Sequence, residues 1–283
     1  MRAARLAVLL TLAGCGGGTA ATAPRPALGV QSNEAPFEPI VLRIAPTVGS
    51  RLRTLTRIEA RATLLDRPIT LSYEQSALRT VADRRPDGTT VFSTRTLGGS
   101  SRFAMGEAPR VETIPPDDVP RTSVMDARGT VVDDALFAPA PTGASGQRDR
   151  LRATLDSILA ALAYPTQPLA LRDSWGTRIT RRASDLVDGA SGELDLEITQ
   201  ELVRVEGNGT DALALIAVRG AVRGAGSIGG DRLAGSIQLQ GIYSVAVADG
   251  LVRGLDLRAE GGLTLGRGVD VPIEATLRYR AEP

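Results

Sequence analysis

Apolar residues recur at every second position along most of the chain, the signature of strands with one buried face. From Arg51 to Leu64, the residues Leu52, Ile58, Ala60, Ala62 and Leu64 share one phase, while Arg51, Arg53, Arg57, Glu59 and Arg61 share the other. Ile69, Leu71, Tyr73, Ala77 and Val81 repeat the pattern, and Asp87-Gly88 marks the next turn. The last third is the clearest. Ile237, Leu239, Tyr243, Val245 and Val247, then Leu251, Leu255, Leu257, Leu263 and Leu265, then Val269, Val271, Ile273, Ala275, Leu277 and Tyr279 are all odd-numbered. Antiparallel neighbours keep odd opposite odd only across a loop with an odd number of residues. That predicts three-residue loops at Ala248-Asp249-Gly250, with Gly250 left-handed, and at Gly266-Arg267-Gly268. Three long antiparallel strands sharing one apolar face follow.

The period changes once. In "SGQRDRLRATLDSILAALAYP", Leu151, Leu155, Ile158, Leu159 and Leu162 fall at helical spacing, predicting an amphipathic helix that ends before Pro165. Residues 106–121, with Pro109, Pro115, Pro116 and Pro120, read as largely irregular. "TSVMDARGTVVDD" reads as a hairpin turning at Asp126–Gly129. The fold expected is mainly β: a long antiparallel meander forming a curved sheet, a half-barrel or two β lobes, with one amphipathic helix near mid-chain. The divisions are a signal peptide at 1–14, a Cys and flexible tether at 15–38, an N-terminal β lobe at 39–141, a linker helix at 142–165 and a C-terminal antiparallel β lobe at 166–283. The tether rests on the Gly, Ala and Pro content of residues 16–38.

Composition narrows the chemistry by elimination. The chain has 33 basic residues, all Arg, and no His. Schiff-base lysines, Ser-Lys dyads, Ser-His-Asp triads and histidine metal ligands are therefore impossible. Removing Arg2 and Arg5 from the 33 basic residues leaves 31 against 32 acidic ones, a balance with no electrostatic reason to bind nucleic acid. The single Cys allows no disulfide within the chain. No cofactor, metal or catalytic residue is assigned.

Three short motifs have plain readings. Gly224-Ala225-Gly226-Ser227-Ile228-Gly229 fits G-x-G-x-x-G, but "DRLAGSIQLQ" after it is strand-like where a dinucleotide site needs a helix, so a flexible hairpin loop is expected. Asn208-Gly209-Thr210 reads as a turn rather than a glycosylation site. Asp117-Asp118 and Asp133-Asp134 lack the alternating acids and central Gly of a calcium loop and read as solvated turn carboxylates.

The one Cys stands in the first fifteen residues. Arg2 and Arg5 precede the short apolar run Leu6–Leu12, and the small residues Ala13 and Gly14 precede Cys15. This is a secretory signal layout, too short to span a bilayer. Leu12-Ala13-Gly14-Cys15 resembles the lipobox of bacterial lipoproteins. The resemblance implies diacylglyceryl transfer to the Cys15 thiol, cleavage before it and acylation of the new amine, two or three chains that hold firmly to a membrane. In that family an Asp after the Cys retains the protein at the inner membrane; Gly16 here implies the outer membrane, facing the periplasm.

"YPTQPLALRDSWGTRI", residues 164–179, resembles a pattern of uncharacterised secreted bacterial β-rich proteins that read Gly-Asp-Ser-Trp; Arg172 stands at the Gly position. Asp173 and Ser174 suit a turn, and Trp175 suits a plug at the sheet edge or between lobes.

The expected function is a noncatalytic, membrane-anchored envelope lipoprotein holding a hydrophobic ligand or lipid in an apolar groove. The idea is similar in fold to periplasmic lipoprotein carriers and lipid-binding half-barrels. Leu255, Leu257, Val271, Ile273 and Trp175 would face the ligand or the core. A structural or protein-interaction scaffold with a closed core, and a carboxylate-based hydrolase, are the alternatives.

Overall fold

The computed structural model describes residues 38–106, 108–117, 119–132, 162–183, 190–228, 230–266 and 268–283. Strands β1 (Arg51–Leu64), β2 (Arg67–Arg84), β3 (Thr90–Met105), β4 (Arg110–Ile114), β5 (Arg121–Met125), β6 (Ser174–Arg182), β7 (Ala190–Glu206), β8 (Leu213–Ile228), β9 (Asp231–Ala246), β10 (Val252–Leu265) and β11 (Val269–Glu282) form one antiparallel sheet. Its order is β4-β3-β2-β1-β11-β10-β9-β8-β7-β6, with β5 also on the outer edge of β3, end to end with β4. The first and last long strands pair, Ile58 opposite Leu277 and Ala60 opposite Ala275, so the two strand-rich stretches share a single sheet.

The alternating pattern sets the faces. Along β1, Leu52, Ile58, Ala60 and Ala62 are buried and their odd neighbours mostly exposed; along β11, Val271, Ile273, Leu277 and Tyr279 are buried. Inward residues from β1 to β11 join one core cluster. A flat sheet would leave such a face in water, so the sheet must curl until its inward side chains cover one another. Two observations show the curl. From β5 to β10 the sheet path has five steps, about 24 Å if flat. Yet Tyr164 alone spans from the turn after β5 to the turn before β10: its N–H donates to Arg128 O at 2.8 Å and its hydroxyl to Gly250 O at 2.9 Å. Second, Gly192 and Gly226 face each other on β7 and β8, and a Cβ on either would run into the other strand's backbone. Bare backbone lets the sheet bend sharply there. The ladder itself stays open, since β4 and β6 are not paired to each other.

Four expectations are corrected. The β9–β10 loop has four residues, Val247 to Gly250: Ala246 N–H donates to Leu251 O at 3.0 Å and Val245 faces Val252. Farther along, Gly241 lies beside Leu257 and Gly235 beside Leu263, so one extra residue on β10 restores odd against odd. Gly250 is left-handed as the parity argument requires, φ 70°. At the next turn Leu265 does pair Val269 across three residues. Within the Pro-rich 106–121 stretch, β4 forms between Pro109 and Pro115, its length limited by them. Gly224 and Gly226 lie inside β8, because β8 and β9 pair up to Ile228 and Asp231. Finally, at the end of the expected helix Leu162 lies in a turn and 163–165 have no helical structure; Leu151 to Leu159 lie outside the described residues.

The outward face is charged. Arg57 pairs Glu74 at 2.6 Å and Arg278 faces Asp256 at 3.4 Å, which separates two arginines lying directly opposite across β1 and β11. A lipid-facing barrel wall needs an apolar band there, and among the described residues this face has none. Among the described residues no helix is long and apolar enough to cross a membrane.

Candidate functional site

The two ends of the sheet differ. One holds the start of β1 and the β9–β10 loop; it is covered by 38–50 and 162–173. Ile40 and Leu169 exchange backbone hydrogen bonds at 2.9 and 2.7 Å, Ile44 N–H donates to Ala127 O, and Ala45 N–H donates to Asp249 O. Leu42, Ile44, Leu162, Tyr164 and Leu169 are buried beneath this cover.

Polar side chains lock it. Trp175 Nε1 donates to Ala163 O at 2.9 Å, Gln200 reaches the same carbonyl at 3.4 Å, and Tyr243 Oη donates to Gln200 Oε1 at 2.6 Å. Burial pushes the Tyr164 and Tyr243 phenols above their ordinary range, with a smaller contribution from the Asp249 charge at Tyr164. Both stay neutral hydrogen-bond donors. Trp175 thus plugs the edge strand β6 against the crossing chain. A cavity here, lined by Arg79, Met125, Tyr164, Leu251 and Tyr279 among others, is about 40 Å³. That is space for one or two waters, far below a ligand pocket.

Leu255, Leu257, Val271 and Ile273 are exposed by only 4, 2, 2 and 2%. They belong to the packed core: Leu255 lies toward this end, whereas Val271, opposite Leu263, and Ile273, opposite Ala62, lie toward the other. The expected carboxylate turn at Asp117 is also structural: its Oδ2 accepts from Thr96 N–H at 3.1 Å and its own N–H donates to Thr96 O at 3.0 Å, filling the ladder between β4 and β5. Asp118, Asp133, Asp134 and the lipobox lie outside the described residues. Asn208 precedes a 3-10 turn, Gly209–Asp211, on the surface. Among the described residues no cluster of three acids or thiols could hold a metal.

The opposite end is open among the described residues. There the inward side chains continue the apolar phase, and several are half-buried: Leu64 on β1, Phe103 and Met105 on β3, Leu263 and Leu265 on β10, Val269 on β11, Ile179 on β6 and Val222 on β8, while Ile69 opposite Met105 and Val271 opposite Leu263 are buried. At its rim the β1–β2 turn holds Leu65 and Asp66 at φ 47° and 61°, a backbone region unfavourable for Leu, with Leu65 71% exposed. Along β6, Trp175, Thr177, Ile179 and Arg181 are half-buried and their even neighbours exposed, so Arg181 shares the inward phase, opposite Leu194.

The sequence had the phase that lines this mouth but not the difference between its ends. The locking network was also missed. Its signal was present: Gln75 and Gln200 occupy apolar phases of β2 and β7, where a polar group must find a partner. Gln75 does so with Tyr73 Oη at 2.8 Å and Thr96 Oγ1 at 2.9 Å.

No protein family matches the chain, and no curated protein does. Among solved structures it is similar to a Bacteroides fragilis protein of YmcC-like fold, at 11% identity over 86% of this chain and 100% of that one, TM-score 0.26. It is also similar to a variant of the Rh. blastica porin, at 10% identity over 82% and 100%, TM-score 0.21. Likeness at this level bears on no function.

Proposed function

We propose that this chain is a noncatalytic envelope lipoprotein, anchored through acyl chains on Cys15 to the outer membrane, that holds a hydrophobic ligand at the open end of its curled sheet. The observation that supports ligand binding is the contrast between the ends. Among the described residues one is covered by crossing chain, with a cavity of about 40 Å³, while the other carries half-buried inward apolar residues such as Leu64, Met105, Leu263, Leu265 and Val269. Partly exposed apolar side chains gathered at one end of a protein with a charged outer face support a binding site there. The anchoring rests on the signal layout and the lipobox-like Leu12-Ala13-Gly14-Cys15.

Gentle extraction of the native protein, followed by mass spectrometry of intact chain and co-purifying small molecules, tests both parts. The expected result is an acylated Cys15 N-terminus and an enriched amphiphile at about one per chain. An unmodified Cys15 contradicts the anchor, and a chain free of amphiphile contradicts the binding. A closed-core scaffold is the second reading, favoured by the solid packing around Leu257 and Ile273.

A further inference from the structure

We propose that Asn208 is a modification site, which loses its side-chain amide without an enzyme and becomes aspartate and isoaspartate. The chain holds two asparagines, Asn33 before Glu34 and Asn208 before Gly209. In the reaction the Gly209 amide nitrogen gives its proton to hydroxide and attacks Asn208 Cγ. A bond forms between them, the bond from Cγ to Nδ2 breaks, and ammonia leaves with a proton taken from water. Water then opens the five-membered imide at either carbonyl. Opening at the main-chain carbonyl routes the chain through the former side chain, as isoaspartate; opening at the other gives aspartate.

The turn between β7 and β8 suits both reacting groups. Residues 206–211 are all exposed, so water and hydroxide reach the site. Among the described residues the Asn208 side chain has no hydrogen-bond partner, and the Gly209 N–H donates to no backbone carbonyl. Attack needs ψ of Asn208 to turn from 155° until the nitrogen stands over Cγ. Gly207 and Gly209 flank it at φ 76° and 60°, and glycine sets the fewest steric limits on such a rotation. The bonds closing the turn are long, with Asp211 N–H to Asn208 O and Ala212 N–H to Gly209 O both 3.4 Å. At two Asp-Gly turns, by contrast, the acid is held. Asp87 Oδ1 accepts from Thr89 N–H and Thr89 Oγ1 at 2.9 and 2.7 Å, and Asp249 Oδ1 accepts from Leu251 N–H at 2.9 Å. The Asn208 turn lies at the sealed end, where Ala212 O accepts from Val247 N–H at 2.9 Å, so its chemistry is independent of any ligand at the mouth.

The test keeps the full chain, as Cys15→Ser, in warm, mildly alkaline buffer for days to weeks. Its peptides are then mapped by mass spectrometry, with enzymatic methyl labelling of isoaspartate. Asn208 should convert at least about ten-fold faster than Asn33, a barrier lower by about 1.4 kcal/mol or more, and give both products. Gly209→Ala puts a methyl group beside the attacking nitrogen and should slow the conversion about ten-fold or more. Should that variant fail to fold, the products of the parent chain and the comparison with Asn33 decide. Conversion of Asn208 no faster than that of Asn33 overturns the site. Aspartate without isoaspartate, or a folded Gly209→Ala chain that reacts as fast as the parent, overturns attack by the Gly209 nitrogen.

Discussion

The Tyr164 hydroxyl donates to the Gly250 carbonyl at 2.9 Å, joining chain positions 86 residues apart. Through it the segment crossing the sealed end is fixed to the β9–β10 loop, while its backbone is fixed to Arg128 beyond β5. Tyr164→Phe removes the donor and leaves a buried carbonyl unbonded. The expected loss is about 1–3 kcal/mol in urea denaturation.

The same burial has a pH consequence. Below about pH 10 Tyr164 and Tyr243 are protonated in both folded and unfolded chains, and stability does not depend on them. Above it the unfolded tyrosines ionise and the folded ones do not, because burial holds their pKa values above the ordinary range. The folded chain then binds more protons, and stability falls as pH rises, by about 1.4 kcal/mol per pH unit for each tyrosine. Urea midpoints taken between about pH 9.5 and 11.5 should show this fall, and Tyr164→Phe should remove its share.

Arg172 occupies φ 74°, a left-handed conformation where glycine is relaxed. Its ion pair with Glu201, 3.1 Å and largely exposed, contributes little. Arg172→Gly should therefore raise stability by about 0.5–1 kcal/mol, read as a higher denaturation midpoint.

Gly250 is left-handed, and a Cβ there would run into the Arg43 carbonyl. Gly250→Val combines backbone strain with that clash and should cost at least about 3 kcal/mol. An unchanged thermal midpoint would show that the loop between β9 and β10 is built differently.

Period two placed β1, β2 and the last three strands, because a half-buried strand writes its face directly into residue parity. Parity does not say which strands pair. The contact of Ile58 with Leu277, which makes one sheet of two stretches, depends on a register between residues more than 200 apart, with no local signal. It was equally silent on loop length, since the extra residue on β10 restores the phase that Val247 to Gly250 shifts. Gly224 and Gly226 looked like a loop because glycine is common in turns; in β8 they serve close strand approach. At the candidate site, Leu265 and Leu257 belong to one alternating series, and parity does not say that one is half-buried and the other buried.

That distinction is measurable. Leu257 is 2% exposed, so Leu257→Asp places a charge without a partner in the core. The expected cost is several kcal/mol, and the variant should be unfolded or molten by near-UV circular dichroism.

Leu265, beside the Gly266 turn, is half-buried, so Leu265→Asp keeps its charge near water and should fold with a loss of about 1 kcal/mol or less. The central claim is tested most directly by titrating the neutral fluorescent probe N-phenyl-1-naphthylamine into the Cys15→Ser chain, with and without Leu265→Asp. The account predicts saturable binding at about one site per chain, weakened about ten-fold or more by the charge at the mouth, a loss near 1.4 kcal/mol. Absence of saturable binding, or binding that the folded Leu265→Asp chain retains in full, would contradict it.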